Sequence, residues 1–479
     1  MLNQALFKTK KLSLLLLIIS ALFYFLFAYN LERTEYLKLI LLYSGLFVLF
    51  YKLIHLNKNN TSFLTAVAFL FRAIFLLTIP NLSQDFYRFI WDGRMILEGY
   101  NPYLYTPESF ISKGLFPIAQ AQELYVGMRE LNASHFTNYP PVNQLCFIIS
   151  ALFASKSIVG SAIVLRLLII VADFGTLYFG KKLLEKLKLP AHNIFWYILN
   201  PFIIIELTGN LHFEGVMIFF LVWSLYLLHS KKWKWAAVVF ALSIATKLVP
   251  LMFLPLYFWW FLSKNNKQTV IASEMKLPVE IDEVSTSLTP NNCSWNGIIK
   301  LISFYAIVIV TTLLLFAPFF STQFIDNYSK TVGLWFGNFE FNASIYYLAR
   351  EIGYWFRGWN EIAIIGKALP IITVLYILFL SFFRKKTDIK KLINATLFSF
   401  TIYLFLSTTV HPWYIATILI LSVFTNYKFP LVWSFIVIIS YLAYANADNT
   451  ENLWIIGFEY LVVFSVFIWE VFIKKNQRA

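Results

Sequence analysis

The sequence predicts an all-α, polytopic integral membrane protein, and three observations carry that prediction. Of the 479 residues, 59% are hydrophobic and only 13% are charged, where a soluble chain carries about 25% charged residues. The mean hydropathy is +0.67. The apolar residues gather in blocks of about 18 to 22, the length an α-helix needs to cross a hydrocarbon core. The short alternating segments of a membrane β-barrel are missing. All of 1–479 is therefore expected to be one membrane domain of about 14 transmembrane helices, in a range of about 13–15.

The blocks follow in order. Leu12 to Ala28 comes after Lys8, Lys10 and Lys11, and it lacks the small-residue pattern of a cleaved signal, so it reads as a first span. Spans at 36–54 and 62–80 lead into 81–138, a segment too polar for lipid. Tyr139-Pro140-Pro141 opens a block that stays apolar to about Tyr178. Further candidates are 192–208, 213–230, 234–263, 297–320, 361–382, 390–408, 412–425, 428–445 and 452–472. Lysine and arginine bias orients them. The N-terminus, Lys52 with Lys58, "RKKTDIKK" (384–391) and the terminal "KKNQRA" are the basic ends and are expected in the cytoplasm. That places 81–138, 321–360 and "TTVHPWY" (408–414) on the outer face. The polar 264–296 segment reads as a flexible cytoplasmic loop. Whether the 141–180 block crosses once or twice stays open, and with it the side faced by "GNLHFEG" (209–215).

The formal charge of +14 sits in short loops and at the termini, with no basic domain to bind nucleic acid. Cys146 and Cys293 form neither a disulfide framework nor a metal pattern. Walker A, GxGxxG, HExxH and GxSxG motifs are absent. Without a nucleotide site, a group-transfer enzyme here needs a donor dissolved in the membrane.

Candidate chemistry gathers in "SQDFYRFIWDGRMILEGYNPY" (83–103). A helix here puts Asp85, Arg88 and Asp92 on one side at spacings of three and four, with Gly99 and Pro102 ending it. The plain reading is a surface helix carrying ion pairs. The functional one is a general base, Asp85 or Asp92, at the membrane boundary, with Arg88 and Arg94 beside it to bind an anion. A second set interrupts the apolar blocks: Arg166, Asp173, His212, Glu214 and Lys247. Ionisable groups there usually face a cavity or a partner. Arg166 could instead pair with Asp173 two turns on, Lys247 could snorkel to an interface, and His212 could pair with Glu214. In "STTVHPWYIATILI" (407–420) an aromatic belt accounts for Trp413 and Tyr414 but not for His411.

The run "D-x-x-R-(F/Y)-x-W-D-G-R … G-x-N-P-Y" with the following "Y-P-P" resembles glycosyltransferases of the GT-C class. More closely, it resembles bacterial mannosyltransferase-like members related to the catalytic subunit of GPI mannosyltransferase I. "N-P-x-x-x-x-E-x-x-G-N-x-H-x-E" (200–214), "A-x-x-x-x-T-K-x-x-P-L" (241–251), "FN-x-S-I-Y" (341–346) and "T-V-H-P-W-Y" (409–414) follow in matching order, so the resemblance covers about 80 to 425. It implies a GT-C-like fold with a large outer catalytic loop, and a polyprenyl-phosphate-linked sugar donor carrying a hexose, mannose by resemblance. It also implies a glycan or glycolipid acceptor, and inverting transfer on the outward face of a bacterial cytoplasmic membrane. The base it implies is the acid of the first outer loop, here Asp85. Members often carry two neighbouring acids at that point, whereas this chain has Gln84-Asp85. No cofactor is certain, a divalent cation being the one candidate, and Asp92 is the nearest second carboxylate.

In such a reaction the acceptor hydroxyl gives its proton to a carboxylate, and the departing lipid phosphate needs cations. Lys247, Arg88, Arg94 and His411 are the candidates for the phosphate. Trp91, Asn101, Tyr103, Tyr139, His212 and Glu214 are the candidates for the sugars. The rival readings are a transporter or flippase for lipid-linked sugars and a non-catalytic scaffold. A transporter should carry its paired charges at the bilayer midplane.

Overall fold

The computed structural model describes residues 2–154, 156–262, 295–337, 339–384, 388–446 and 450–474. Among them every regular element is helical, apart from a lone parallel bridge between Phe341 and Thr409. Of the 264–296 loop only Trp295 and Asn296 fall among the described residues, where they open a helix. Most of "KKNQRA", Cys293 and residues 385–387 of "RKKTDIKK" also lie outside the described residues.

Among the described residues, seven helices are long and apolar enough to cross a membrane: Lys10–Asn30, Tyr36–Asn57, Ile158–Lys186, Trp295–Phe319, Ile362–Phe383, Ile389–Leu406 and Leu453–Ile473. Pro201–Gly209 and Glu214–His229 pass the same test together, bent by 115°, which gives up to 8 spans if that pair counts as one. Shorter apolar helices complete the bundle: Thr61–Ile74, Pro141–Ala154, Trp233–Ile244, Val249–Leu262, Pro412–Val423 and Phe429–Ala445. The crossing helices are apolar nearly all round, as lipid-facing helices must be. On the first, Leu14, Leu15, Ile18, Leu22 and Phe25 are exposed on the outside of the bundle.

The block after Tyr139 is divided. Pro141–Ala154 ends, and Ser157 caps the 29-residue Ile158–Lys186 by accepting a hydrogen bond from the Gly160 N–H. Ser150 Oγ donates to the Ser161 carbonyl at 3.0 Å, which folds the short helix back on the long one. At its other end Asn143 Nδ2 donates to the Thr246 carbonyl at 2.8 Å.

Arg166 and Asp173 do not pair. Seven residues of helix separate their Cα atoms by about 10 Å along the axis. Asp173 Oδ2 instead accepts from Arg72 Nε at 2.7 Å, both groups being fully buried. Arg166 reaches four carbonyls, those of Leu76, Thr78, Thr208 and Gly209, at 2.9–3.0 Å. These contacts fix the end of Thr61–Ile74 and the π-helical turn Ile204–Gly209 against the long helix.

The 81–138 segment folds into the helices Asp85–Leu97, Pro107–Ile111 and Ala121–Ala133. The first ends as expected, at a left-handed Gly99 (φ 81°). It is not a surface helix, because Phe86 and every residue from Arg88 to Met95 are buried. Phe89 stacks on Phe147 at 4.7 Å. At Gly93 a Cβ would stand 2.2 Å from the Phe147 carbonyl oxygen. Only glycine permits that approach, so Gly93→Ala should force the two helices apart. We expect it to cost about 1–3 kcal/mol, seen as a lower unfolding temperature in detergent.

Candidate active site

A cavity of about 810 Å³ opens where helix ends converge. Asp85 and Glu214 open their helices, and Arg33, Lys247 and Tyr444 follow or close theirs. Tyr139, His411 and Glu451 stand just before the starts of three others.

Asp85 is held by its surroundings rather than by an arginine. Its Oδ1 accepts from Asn132 Nδ2 at 3.2 Å, and its backbone N–H donates to Ser83 Oγ at 3.3 Å. Arg88, one turn on, also lines the cavity. Its Nε donates to Asp92 Oδ1 at 2.7 Å, and its Nη1 donates to the Asn132 and His135 carbonyls at 2.6 and 2.8 Å. Its Nη2 is buried without a hydrogen-bond partner among the described residues. Of the two ion pairs that the spacing offers, the i,i+4 pair forms and an Asp85–Arg88 pair does not. Asp92 is fully buried and also accepts from Gln144 Nε2 at 3.2 Å, so it aims Arg88 from behind the cavity wall.

Lys247 Nζ lies 3.0 Å from Glu214 Oε1 and 5.4 Å from the centre of the Tyr139 ring. Glu214 Oε2 is buried with no hydrogen-bond partner among the described residues. His212 does not pair with Glu214. The backbone turns through a left-handed Leu211 (φ 62°), and His212 Nδ1 lies 3.5 Å from Oε2 of the fully buried Glu206. His212 Nε2 is 3.3 Å from Ser83 Oγ. Its ring stacks on Trp413 at 3.8 Å, and Trp413 stacks on His411 at 4.5 Å. Burial pushes the His411 imidazole down to about 3, helped by His212, Lys247 and Arg33 nearby. At neutral pH it is therefore uncharged.

The structure thus brings Asp85, Arg88, Tyr139, Glu214, Lys247 and His411 onto one surface. The other candidates stand behind it. Trp91 is in the core. Arg94 Nη1 donates to the Ala119 carbonyl at 2.7 Å and to Gln120 Oε1 at 3.2 Å, bracing the loop. Asn101 Nδ2 donates to the Phe319 carbonyl at 3.1 Å, and Tyr103 Oη donates to the Tyr139 carbonyl at 2.6 Å.

Other charged residues line the cavity that sequence reasoning did not select: Arg33, Arg129, Glu340, Arg350 and Glu451. Arg33 lies 3.3 Å above the Tyr444 ring and donates to Gln84 Oε1 at 3.0 Å. In sequence it is one charge in a short loop, with no pattern to mark it. Among the described residues no group of three or more His, Cys, Asp or Glu is placed to hold a metal ion.

A bundle of apolar helices, closed at one end by a cavity that opposes carboxylates to cations, defines a multi-pass membrane protein with a charged site. Residues 20–263, just over half of the chain, match the family model described as alpha-(1->6)-mannopyranosyltransferase, N-terminal domain, of the MptA_B family. The chain belongs to that family and is a glycosyltransferase, a membrane mannosyltransferase. No curated protein matches it.

Proposed function

We propose that the protein moves mannose from a polyprenyl-phosphate donor to a glycan or glycolipid acceptor, with inversion, and that Asp85 is the general base. The observation that carries this reading is the meeting of Asp85 with Arg33, Arg88 and Lys247 in one cavity at the end of an apolar bundle. The acceptor hydroxyl attacks the anomeric carbon and the bond from that carbon to the phosphate oxygen breaks. The hydroxyl proton passes to the Asp85 carboxylate. The lipid phosphate leaves with its electron pair and needs no acid, only cations placed in advance. Lys247 and Arg88 are suited to that task, with Arg33 beside them. Inversion to an alpha linkage requires a beta-linked donor sugar.

The lysine and arginine bias puts 81–138 outside the membrane, and with it the cavity; about 14 passes are part of the same proposal. Impermeant thiol labelling tests the orientation. Ser112→Cys should be modified in intact cells and Lys232→Cys only after lysis, and the reverse pattern overturns the outward site.

The transporter reading is not favoured. The cavity's charges cluster at helix ends rather than at a midplane, and the family is one of transferases. The deciding assay incubates purified protein with beta-mannosyl phosphates of polyprenols, matched glucosyl phosphates and a nucleotide-linked mannose, together with a mannoside acceptor. Transfer from the lipid-linked mannose alone is expected. Transfer from the nucleotide sugar instead would overturn the donor assignment.

A further inference from the structure

The cavity is electrically divided. The part around Asp85 sets four cations, Arg33, Arg88, Arg129 and Lys247, against two carboxylates, Asp85 and Glu214. Beyond Tyr444 the balance reverses, with Arg350 facing two carboxylates, Glu340 and Glu451. Tyr444 marks the border, with Arg33 on its ring and Phe341 stacked on it at 5.7 Å.

The carboxylates of this second wall are fixed from behind. Glu340 accepts from Tyr346 Oη at 2.5 Å, Asn360 Nδ2 at 2.6 Å and Arg350 Nη1 at 2.6 Å. Burial works to raise its pKa, and those three hydrogen bonds outweigh it, holding the carboxyl below its usual range. Glu451 accepts from the Asn342 N–H at 2.7 Å and from Tyr347 Oη. That fills two of the roughly four acceptor positions of a carboxylate. Arg350 also lies 4.4 Å from the centre of the Tyr347 ring, so its charge is covered on one side.

We propose that this wall is the acceptor subsite and that it selects an uncharged, hydroxyl-rich glycan end over an acidic one. The inference rests on the transfer reading above. Rigid carboxylates with acceptor capacity to spare take hydroxyl protons in charge-assisted hydrogen bonds. The ring faces of Phe341, Tyr347 and Tyr444 suit the C–H faces of a sugar. The same negative balance repels a phosphate or uronate, which keeps the donor headgroup on the cationic side and acidic glycans out altogether.

Binding of a linear oligomannoside and of an oligouronide of equal length to the detergent-purified protein, without donor, tests this by calorimetry. The neutral glycan should bind at least about tenfold more tightly, one charge-assisted contact being worth about that factor. Glu451→Gln and Glu340→Gln should each weaken oligomannoside binding by about tenfold and narrow the gap to the oligouronide. In turnover they should raise the acceptor KM while the donor KM stays within about twofold. Equal binding of the two glycans overturns the proposal, as does a parallel rise of both KM values. If no lipid-linked donor is used but the oligomannoside still binds with this selectivity, the donor assignment fails and the subsite stands. If one variant elutes as aggregate, the other and the comparison of the two glycans on the parent protein carry the test.

Discussion

Asp85→Asn should lower mannosyl transfer by about 10²–10⁴-fold, the usual contribution of a positioned base. The amide keeps the shape of the carboxylate and can still meet Asn132, but it cannot accept the hydroxyl proton. Asp85 stands in the first turn of its helix, where a carboxylate contributes about 0.3–1 kcal/mol through the helix dipole. The unfolding temperature should therefore fall by only a few degrees. The pairing of near-normal stability with lost turnover separates a catalytic role from a structural one. Turnover within a few-fold of the parent would remove Asp85 as base and pass the role to Glu214, the other carboxylate on the same wall. Asp92 is no substitute, since Arg88 and Gln144 occupy its oxygens behind that wall.

Replacing Lys247 has two consequences that can be read apart. Lys247→Met should reduce donor kcat/KM by about ten- to hundredfold, the scale of one hydrogen bond to a charged group. It also leaves Glu214 buried without its cation, and stranding one member of such a pair is itself destabilising. The double variant Lys247→Met/Glu214→Gln should recover thermal stability and not donor use. Lys247→Arg should keep the ion pair and only part of the activity, because a planar guanidinium does not fit an ammonium's place. Unchanged donor kinetics in Lys247→Met would assign the lysine to Glu214 alone and leave the phosphate to Arg33 and Arg88.

The helical class, the helix beginning at Asp85 and its stop at Gly99 were legible because they depend on local signals: block length, an i,i+4 pair, a glycine. Asp85, Arg88, Tyr139, Glu214, Lys247 and His411 could be collected because each is a polar residue in an apolar setting. Where the reading went astray, it used spacing to infer partners. Asp173 found Arg72 and His212 found Glu206, choices made by tertiary packing. Arg72 and Glu206 did carry a signal, a charge inside an apolar block, and weighing every such charge would have found both. Arg33, Glu340, Arg350 and Glu451 carried none. They lie in or beside polar loops where charge is ordinary, and only folding brings them to a common surface. Four of the seven fixed positions of the "D-x-x-R-F-x-W-D-G-R" run serve the architecture: Trp91 fills the core, Asp92 aims Arg88, Gly93 allows the close approach and Arg94 braces a loop.

The long helix Ile158–Lys186 works as a ruler. From Lys186 up to Arg166 it rises about 30 Å, at about 1.5 Å per residue, which is the thickness of a hydrocarbon core. Arg166 grips the carbonyls of Thr208 and Gly209, just ahead of His212 and Glu214 in the chain. On the topology proposed above, Lys186 stands at one lipid boundary and the floor of the cavity falls at the other. A lipid-borne sugar would meet the enzyme at the depth its phosphate already occupies, with its tail still dissolved in the bilayer. No part of the substrate would have to be lifted out of the membrane or drawn into it.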